Sequence, residues 1–383
     1  MDKKKEILFN LNNFLLSTSK AFEHVEKEFF NTEIGHNKRV AYIALKIANE
    51  LNLSYEEKYD LCAYSLCHNI ALKKIKYQSK EYCELNEDLI KDFPFLEKRE
   101  NILKYQFEYF NQTGLYEVKG EDIPLFSQII SFAKLLDKKF ELNKNKPKSS
   151  ELLKEFITYN KNRLFDERIC IAYENASKNL EFYLDLKDEN QILYFIFSNL
   201  VDYSCPLTFE NIYSITSVFN KLIDDNKKLP SSIEKMSNFY GFEHKDLHTL
   251  KIAATLVNVG KICIDDKLLN KDSLNSYEYE KIKEYPYYTK VILSNIMGFA
   301  DIAKWASFIQ ERLDGSGYPY GLSASTLSLK ERIMMILVIY ESLKTKKPYR
   351  DSLTHYEAIE FIDKNFNKEI DKTILEDIKE VLS

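Results

Sequence analysis

Glu311-Arg-Leu-Asp-Gly-Ser-Gly-Tyr-Pro-Tyr-Gly-Leu322 holds three of the chain's nine glycines, Gly315, Gly317 and Gly321. Glycine permits positive φ and close backbone approach. Asp-Gly-Ser-Gly ahead of Tyr-Pro therefore reads as a compact, shaped loop and not as a flexible linker. A plain helix-to-helix turn without chemistry has the same needs, so its surroundings must decide. Upstream lies Ala254-Thr-Leu-Val-Asn-Val-Gly-Lys-Ile262. Downstream lie Leu329-Lys-Glu-Arg-Ile333 and Lys347-Pro-Tyr-Arg350.

In order and spacing these segments, with Asp265, Leu269, Pro286-Tyr-Tyr-Thr289 and the helix start at Thr354–Ala358, resemble the HD-GYP family from about Gly241 to Ile378. That family is a branch of the HD metal-dependent phosphohydrolases, and known members hydrolyse cyclic di-GMP. The resemblance implies an all-helical domain. It also implies a centre of two or three metal ions held by histidines and carboxylates, which would polarise a phosphodiester and activate water.

The chain has 383 residues, 45% hydrophobic and 30% charged, with a net charge of -5. Its length fits two domains, each able to bury a core. The charge excludes a general nucleic-acid binder, because no basic field exists to attract phosphate backbones. Cys62, Cys67, Cys83, Cys170, Cys205 and Cys263 lack Cys-x-x-Cys spacing and read as reduced core residues. No signal-type apolar stretch opens the chain and no apolar run approaches membrane-spanning length; the expectation is a cytoplasmic protein with no membrane partner.

Helical periodicity dominates, from residues 5–32 onward, and alternating β-branched runs are scarce. Ser54–Glu57, Asn275–Glu278 and Thr354–Glu357 read as helix caps. Gly35-His36 opens a strong amphipathic helix, and the next ends in His68-Asn69, where the family resemblance implies a His and then a His-Asp pair. Asn111–Gly114 parallels Asp314–Gly317, Ile123–Ile129 parallels Leu327–Ile333, Lys146-Pro147 parallels Lys347-Pro348, and Phe165-Asp166 parallels Ile370-Asp371. Self-similarity at domain length predicts duplication. The expected architecture is all-α with two tandem HD-like helical domains: 1–180 a diverged copy, 181–207 a connecting helix and linker, 208–383 a degenerate HD-GYP copy.

The ligand positions implied by the resemblance are mostly lost. In the second copy they fall at Asp225, Val257-Asn258, Tyr285, Ile309-Gln310 and Val338. In the first they fall at His36, His68-Asn69, Phe93, Gln106-Phe107 and Lys134. Valine and isoleucine bind no cation, and a lysine repels one. Vacant polar ligands are costly to bury, whereas hydrocarbon removes that cost. The metal cavity is therefore expected to have become core, leaving no metal, no cofactor and no catalytic residue. His36 and His68 could still share one ion, or be hydrogen-bonded histidines on packed helices.

Lys261, Lys347 and Arg350 stand where the resemblance implies contacts to substrate phosphate; they would bind cyclic di-GMP without metal, or simply be solvated surface. Arg312, Asp314, Gly315, Gly317, Tyr318 and Pro319 keep a loop that the family associates with diguanylate-cyclase domains. His244 and His248 share a helix face, with no third ligand beside them, and Tyr285, Tyr287 and Tyr288 form an aromatic patch that packing accounts for. The resulting expectation is a catalytically inactive scaffold docking a protein partner, or a cyclic di-GMP sensor. The rival is a metal-dependent cyclic di-GMP phosphodiesterase with an atypical site.

Overall fold

A computed structural model describes residues 6–30, 34–144, 147–223, 228–347 and 350–383; Asp225, Lys146, Pro348 and Tyr349 lie outside them. The described residues are predominantly α-helical, as periodicity requires. They fall into two compact units, residues 10–204 and residues 205–383 with the first nine.

The first unit begins with α1 (Leu11–Phe30), α2 (His36–Glu50), α3 (Tyr55–Cys67) and α4 (Lys80–Leu89). After a long irregular stretch come α5 (Leu125–Phe140), α6 (Pro147–Asn160), α7 (Glu167–Ala176), α8 (Leu180–Asp185) and α9 (Glu189–Asn199). Helix α2 is the axis of this unit. It packs on α1, α3, α5, α7 and α9, and Val40, Tyr42, Ile43, Leu45 and Ile47 are fully buried. A helix apolar around most of its circumference belongs in the interior. Gly35, with φ 85°, turns the chain into it.

Segment 181–207 is not a free connector. Tyr42 donates to Asp185 at 2.8 Å, Asn49 donates to Asn199 at 3.1 Å, and the Tyr42 and Phe195 rings meet at 4.8 Å. Helices α8 and α9 thus complete the first unit, and the division falls at 204/205 instead of 180 and 208.

The second unit opens on a two-stranded antiparallel ribbon, β1 (Glu6–Phe9) with β2 (Cys205–Thr208). Helical period was expected from residue 5, but the helix starts at Leu11. A partner strand distant in sequence supplies the backbone hydrogen bonds here, and local periodicity carries no trace of it. Next come α10 (Phe209–Ile223), α11 (Leu229–Phe239), α12 (His244–Leu256), the short α13 (Asp266–Leu269) and α14 (Ser276–Ile282). The unit ends with α15 (Tyr285–Leu293), α16 (Ala300–Ser307), α17 (Leu329–Lys344), α18 (His355–Asn365) and α19 (Lys372–Val381).

Helix α12 is the axis of the second unit, packed on α10, α11 and α16. The three sequence-predicted capping boxes form with reciprocal hydrogen bonds, at Ser54/Glu57, Asn275/Glu278 and Thr354/Glu357. Asp166 and Asp371 each cap the helix that follows, α7 and α19. No described helix is long and apolar enough to cross a membrane.

Candidate functional site

In the second unit the site is assembled at the end of α12. Val257 is the last helical turn's cap, and a tight 3-10 turn over Val259–Cys263 then reverses the chain. Gly260 makes that turn possible. A Cβ there would lie 2.0 Å from the Tyr285 carbonyl oxygen, and its N–H donates to Thr289 Oγ1 at 3.1 Å. The turn delivers Lys261 over the face of Tyr285, with Nζ 5.2 Å from the ring centroid. Tyr285 is buried, and its hydroxyl accepts from Gln310 Nε2 at 2.9 Å.

Lys261, Arg312 and Arg350 line one cavity of about 320 Å³, with Asn258, Tyr285, Gln310 and Val338 in its walls. Arg312 is held by Glu369 (Nε–Oε2 3.2 Å) and by the Glu311 carbonyl (2.7 Å). Arg350 donates through Nη2 to the Ser342 carbonyl at 2.9 Å; its Nε has no hydrogen-bond partner among the described residues. Lys347 exchanges backbone hydrogen bonds with Arg350 in a tight turn and is not part of the lining. The cationic trio is therefore Lys261, Arg312 and Arg350. Linear spacing marks Arg312 only as a loop residue, because nothing in it shows that the loop folds back toward Lys261.

The expected conversion to solid core holds only in part. Val257 and Ile309 are fully buried and Val338 is 5% exposed. The cavity that Val338 lines, however, remains open and basic. Leu229, fully buried, begins α11 as His36 begins α2, and Ser232 bonds Glu341 as Arg39 bonds Asp137. Leu229 thus stands in the second unit where His36 stands in the first; Asp225, the place expected from the resemblance, lies outside the described residues.

The glycine loop is held by a buried carboxylate. Glu311 accepts from the backbone N–H of Tyr320 at 2.9 Å and of Leu322 at 2.7 Å. A Cβ on Gly317 would come within 2.4 Å of the Glu311 Cα and the Arg312 N. Gly315 and Gly321 have φ of 82° and 64°. Asp314 turns the exposed tip by accepting from Ser316 N at 3.0 Å. Tyr318 is half-buried beside Lys283, and the Tyr318–Pro319 bond is cis.

In the first unit Glu108 does the same work. It accepts from Tyr116 N and Val118 N, both at 2.8 Å, and a Cβ on Gly114 would collide with it at 2.6 Å. His36 Nδ1 lies 2.6 Å from Asp137 Oδ2, and Arg39 Nε lies 2.8 Å from Asp137 Oδ1. Burial would raise the Asp137 carboxyl, but Arg39 and His36 outweigh it and hold it below the usual range. The His36 and His68 rings sit 5.5 Å apart.

Lys134 Nζ donates to Gln106 Oε1 at 2.9 Å, and Gln106 Nε2 donates to the His68 carbonyl at 3.1 Å. Asn69 donates to Glu26 and accepts from Tyr82. The tyrosine at this place is Tyr82, not Phe93, which instead packs edge-on against Phe14. Ala71 N donates to Asn86 as Gly260 N donates to Thr289. Tyr82 follows Asn69 by thirteen residues, whereas helices α13 and α14 lengthen the corresponding span in the second unit. That length difference hid the match.

Among the described residues no group of three or more His, Cys, Asp or Glu is placed to share a cation. The donor set does not fit a binuclear centre in either unit: valine, isoleucine and leucine in one, a lysine beside two histidines in the other. His244 and His248 pack together at 4.1 Å against Phe209, a structural role.

Residues 211–374 match a family model described as HD domain. The chain is a low-identity homologue of the HD-GYP and HD-superfamily phosphohydrolases. A 3'3'-cGAMP-specific phosphodiesterase 3 of Vibrio cholerae serotype O1 is 26% identical over 79% of this chain and 66% of that protein. Phosphodiesterase 1 of the same name and organism is 22% identical over 85% of the chain and 82% of that protein. A crystal structure of a cyclic GMP-AMP-specific V. cholerae phosphodiesterase superposes with TM-score 0.69 and 20% identity, covering 98% of both chains. That likeness shows the HD fold alone.

Proposed function

We propose that this HD-superfamily homologue binds a cyclic dinucleotide in its second unit without hydrolysing it. One observation carries the reading. Lys261, Arg312 and Arg350 face one cavity of about 320 Å³ whose lining contains no carboxylate and no imidazole. Cations with no ligands for a metal suit a phosphodiester anion. Lost ligands with a kept phosphate grip match a protein that reads the molecule its relatives are named for cleaving. The Glu108 and Glu311 loops, and the Ala71–Asn86 and Gly260–Thr289 contacts, support descent of both units from one HD-like domain.

Calorimetry with 3'3'-cGAMP and cyclic di-GMP tests the reading. Saturable binding is expected, weakened about tenfold or more by Lys261→Ala or Arg350→Ala, since a hydrogen bond to a charged group contributes about 1.5–3 kcal/mol. Chromatography after incubation with manganese should return intact ligand. Turnover lost in His68→Ala would establish the phosphodiesterase instead.

A second reading rests on the rigidity of the glycine loop, whose exposed tip at Asp314, Pro319 and Tyr320 is presented on a backbone fixed by Glu311. A rigid exposed loop suits docking of a protein, such as a diguanylate-cyclase domain. Capture of such a domain should then fail for Tyr320→Ala while cyclic-dinucleotide binding persists.

A further inference from the structure

The first unit has a cavity of its own, of about 380 Å³, on the side of α5 that faces α2 and the end of α3. Its walls include His36, His68, Lys134, Lys138 and Lys139 but no aspartate or glutamate. Two aromatic residues, Phe107 and Tyr109, close another part of it. Lys134 reaches it across the face of Phe107, with Nζ 3.2 Å from the ring centroid; burial pushes its ammonium well below the ordinary lysine value, a cost that a bound anion would offset.

His68 supplies the second observation. The residue is fully buried, and its Nδ1 lies 2.7 Å from the Ser65 carbonyl oxygen. A carbonyl only accepts, so Nδ1 carries the proton and Nε2 keeps a bare lone pair. Nε2 has no hydrogen-bond partner among the described residues. A buried acceptor left unpaired costs free energy that a ligand's donor would recover.

The geometry points to a phosphomonoester-binding site here, with Lys134 donating to an anionic oxygen of the phosphate and His68 Nε2 accepting from its acid hydroxyl. The required ligand carries negative charge and one donor on the same group. Monohydrogen phosphate keeps such a hydroxyl at neutral pH, and a phosphomonoester, whose second pKa lies near 6, carries one in its monoanionic form. A phosphodiester has no acid hydroxyl at neutral pH, and neither has sulfate. This site is therefore distinct in ligand chemistry from the cavity of the second unit, and stands or falls independently of it. Lys138 and Lys139, both exposed on the last turns of α5, bias the approach toward anions.

The test is calorimetric titration of the full chain in EDTA with inorganic phosphate, with AMP as a simple phosphomonoester, and with sulfate. Phosphate, AMP or both should bind saturably at one site per chain, and sulfate at least tenfold more weakly. Lys134→Met, close in shape to lysine, should weaken phosphate binding about tenfold, the value of one charge-assisted hydrogen bond. Histidine-selective ¹⁵N spectra of the unaltered protein supply a readout free of folding effects: the His68 Nε2 signal should move on adding phosphate. Equal binding of sulfate, binding that appears only after a divalent cation is added, or an unmoved His68 signal at saturating phosphate would each overturn the assignment. If phosphate binds but AMP does not, the ligand is the free ion; if AMP binds the more tightly, it is an ester.

Discussion

Glu108 and Glu311 each spend both carboxylate oxygens on two backbone N–H groups of the loop that follows. A glycine six residues on leaves room for the glutamate: Gly114 for the Glu108 backbone and carboxylate, Gly317 for the backbone of Glu311 and Arg312. Glu311→Gln keeps one acceptor and turns the other into a donor facing an N–H. It should cost about 1–3 kcal/mol in urea unfolding, the penalty for an unsatisfied buried donor; a variant as stable as the parent would show the loop to be self-supporting. The Glu-to-glycine spacing was present in both halves of the sequence. It went unread because a glutamate before a polar loop resembles any solvated one until its burial is known.

His68 gives a pH signature at the same scale. Its folded pKa lies well below 6.5, the ordinary value, because of burial first and then His36 and Lys134. The unfolded chain therefore takes up a proton that the folded one refuses. The stability associated with neutral His68 is complete above pH 6.5 and is lost progressively as pH falls toward the depressed folded value. The slope is at most about 1.4 kcal/mol per pH unit for one proton. Chemical denaturation of His68→Gln at pH 7, 6 and 5 should show a shallower decline than the parent. Parallel curves would mean that His68 titrates normally.

Among elements, the turn after α12 matters most. Gly260 sits so near the Tyr285 carbonyl that any Cβ displaces α15 or the 3-10 turn carrying Lys261. Gly260→Ala should destabilise by about 1–3 kcal/mol, the usual cost of overpacking, and weaken cyclic-dinucleotide binding together with stability. Thermal melts and calorimetry on one preparation check both; a stable variant with intact binding would contradict this role. Capping boxes, helix periods and the glycine loop were legible because their determinants lie within a few residues of one another. The β1–β2 pairing, the Tyr82 contact to Asn69 and the approach of Arg312 to Lys261 were not. Each joins segments separated by spans whose lengths local pattern does not constrain.

At the scale of the molecule, two helical units, built around the buried helices α2 and α12, each hold a cavity lined by basic side chains. In one, Val338 lines the cavity while Val257 and Ile309 are fully buried. In the other, His68 and Lys134 line the cavity and are joined through Gln106. The apolar replacement was readable residue by residue. The persistence of an open basic space was not, since burial of single side chains does not report the volume between them. The most direct measurement is calorimetric titration of the protein with 3'3'-cGAMP and cyclic di-GMP in EDTA. Saturable binding of one of them, weakened about tenfold or more by Lys261→Ala, is the result expected of Lys261, Arg312 and Arg350 acting without a metal. Absence of heat with both, or binding that needs added metal and ends in cleaved ligand, would contradict it.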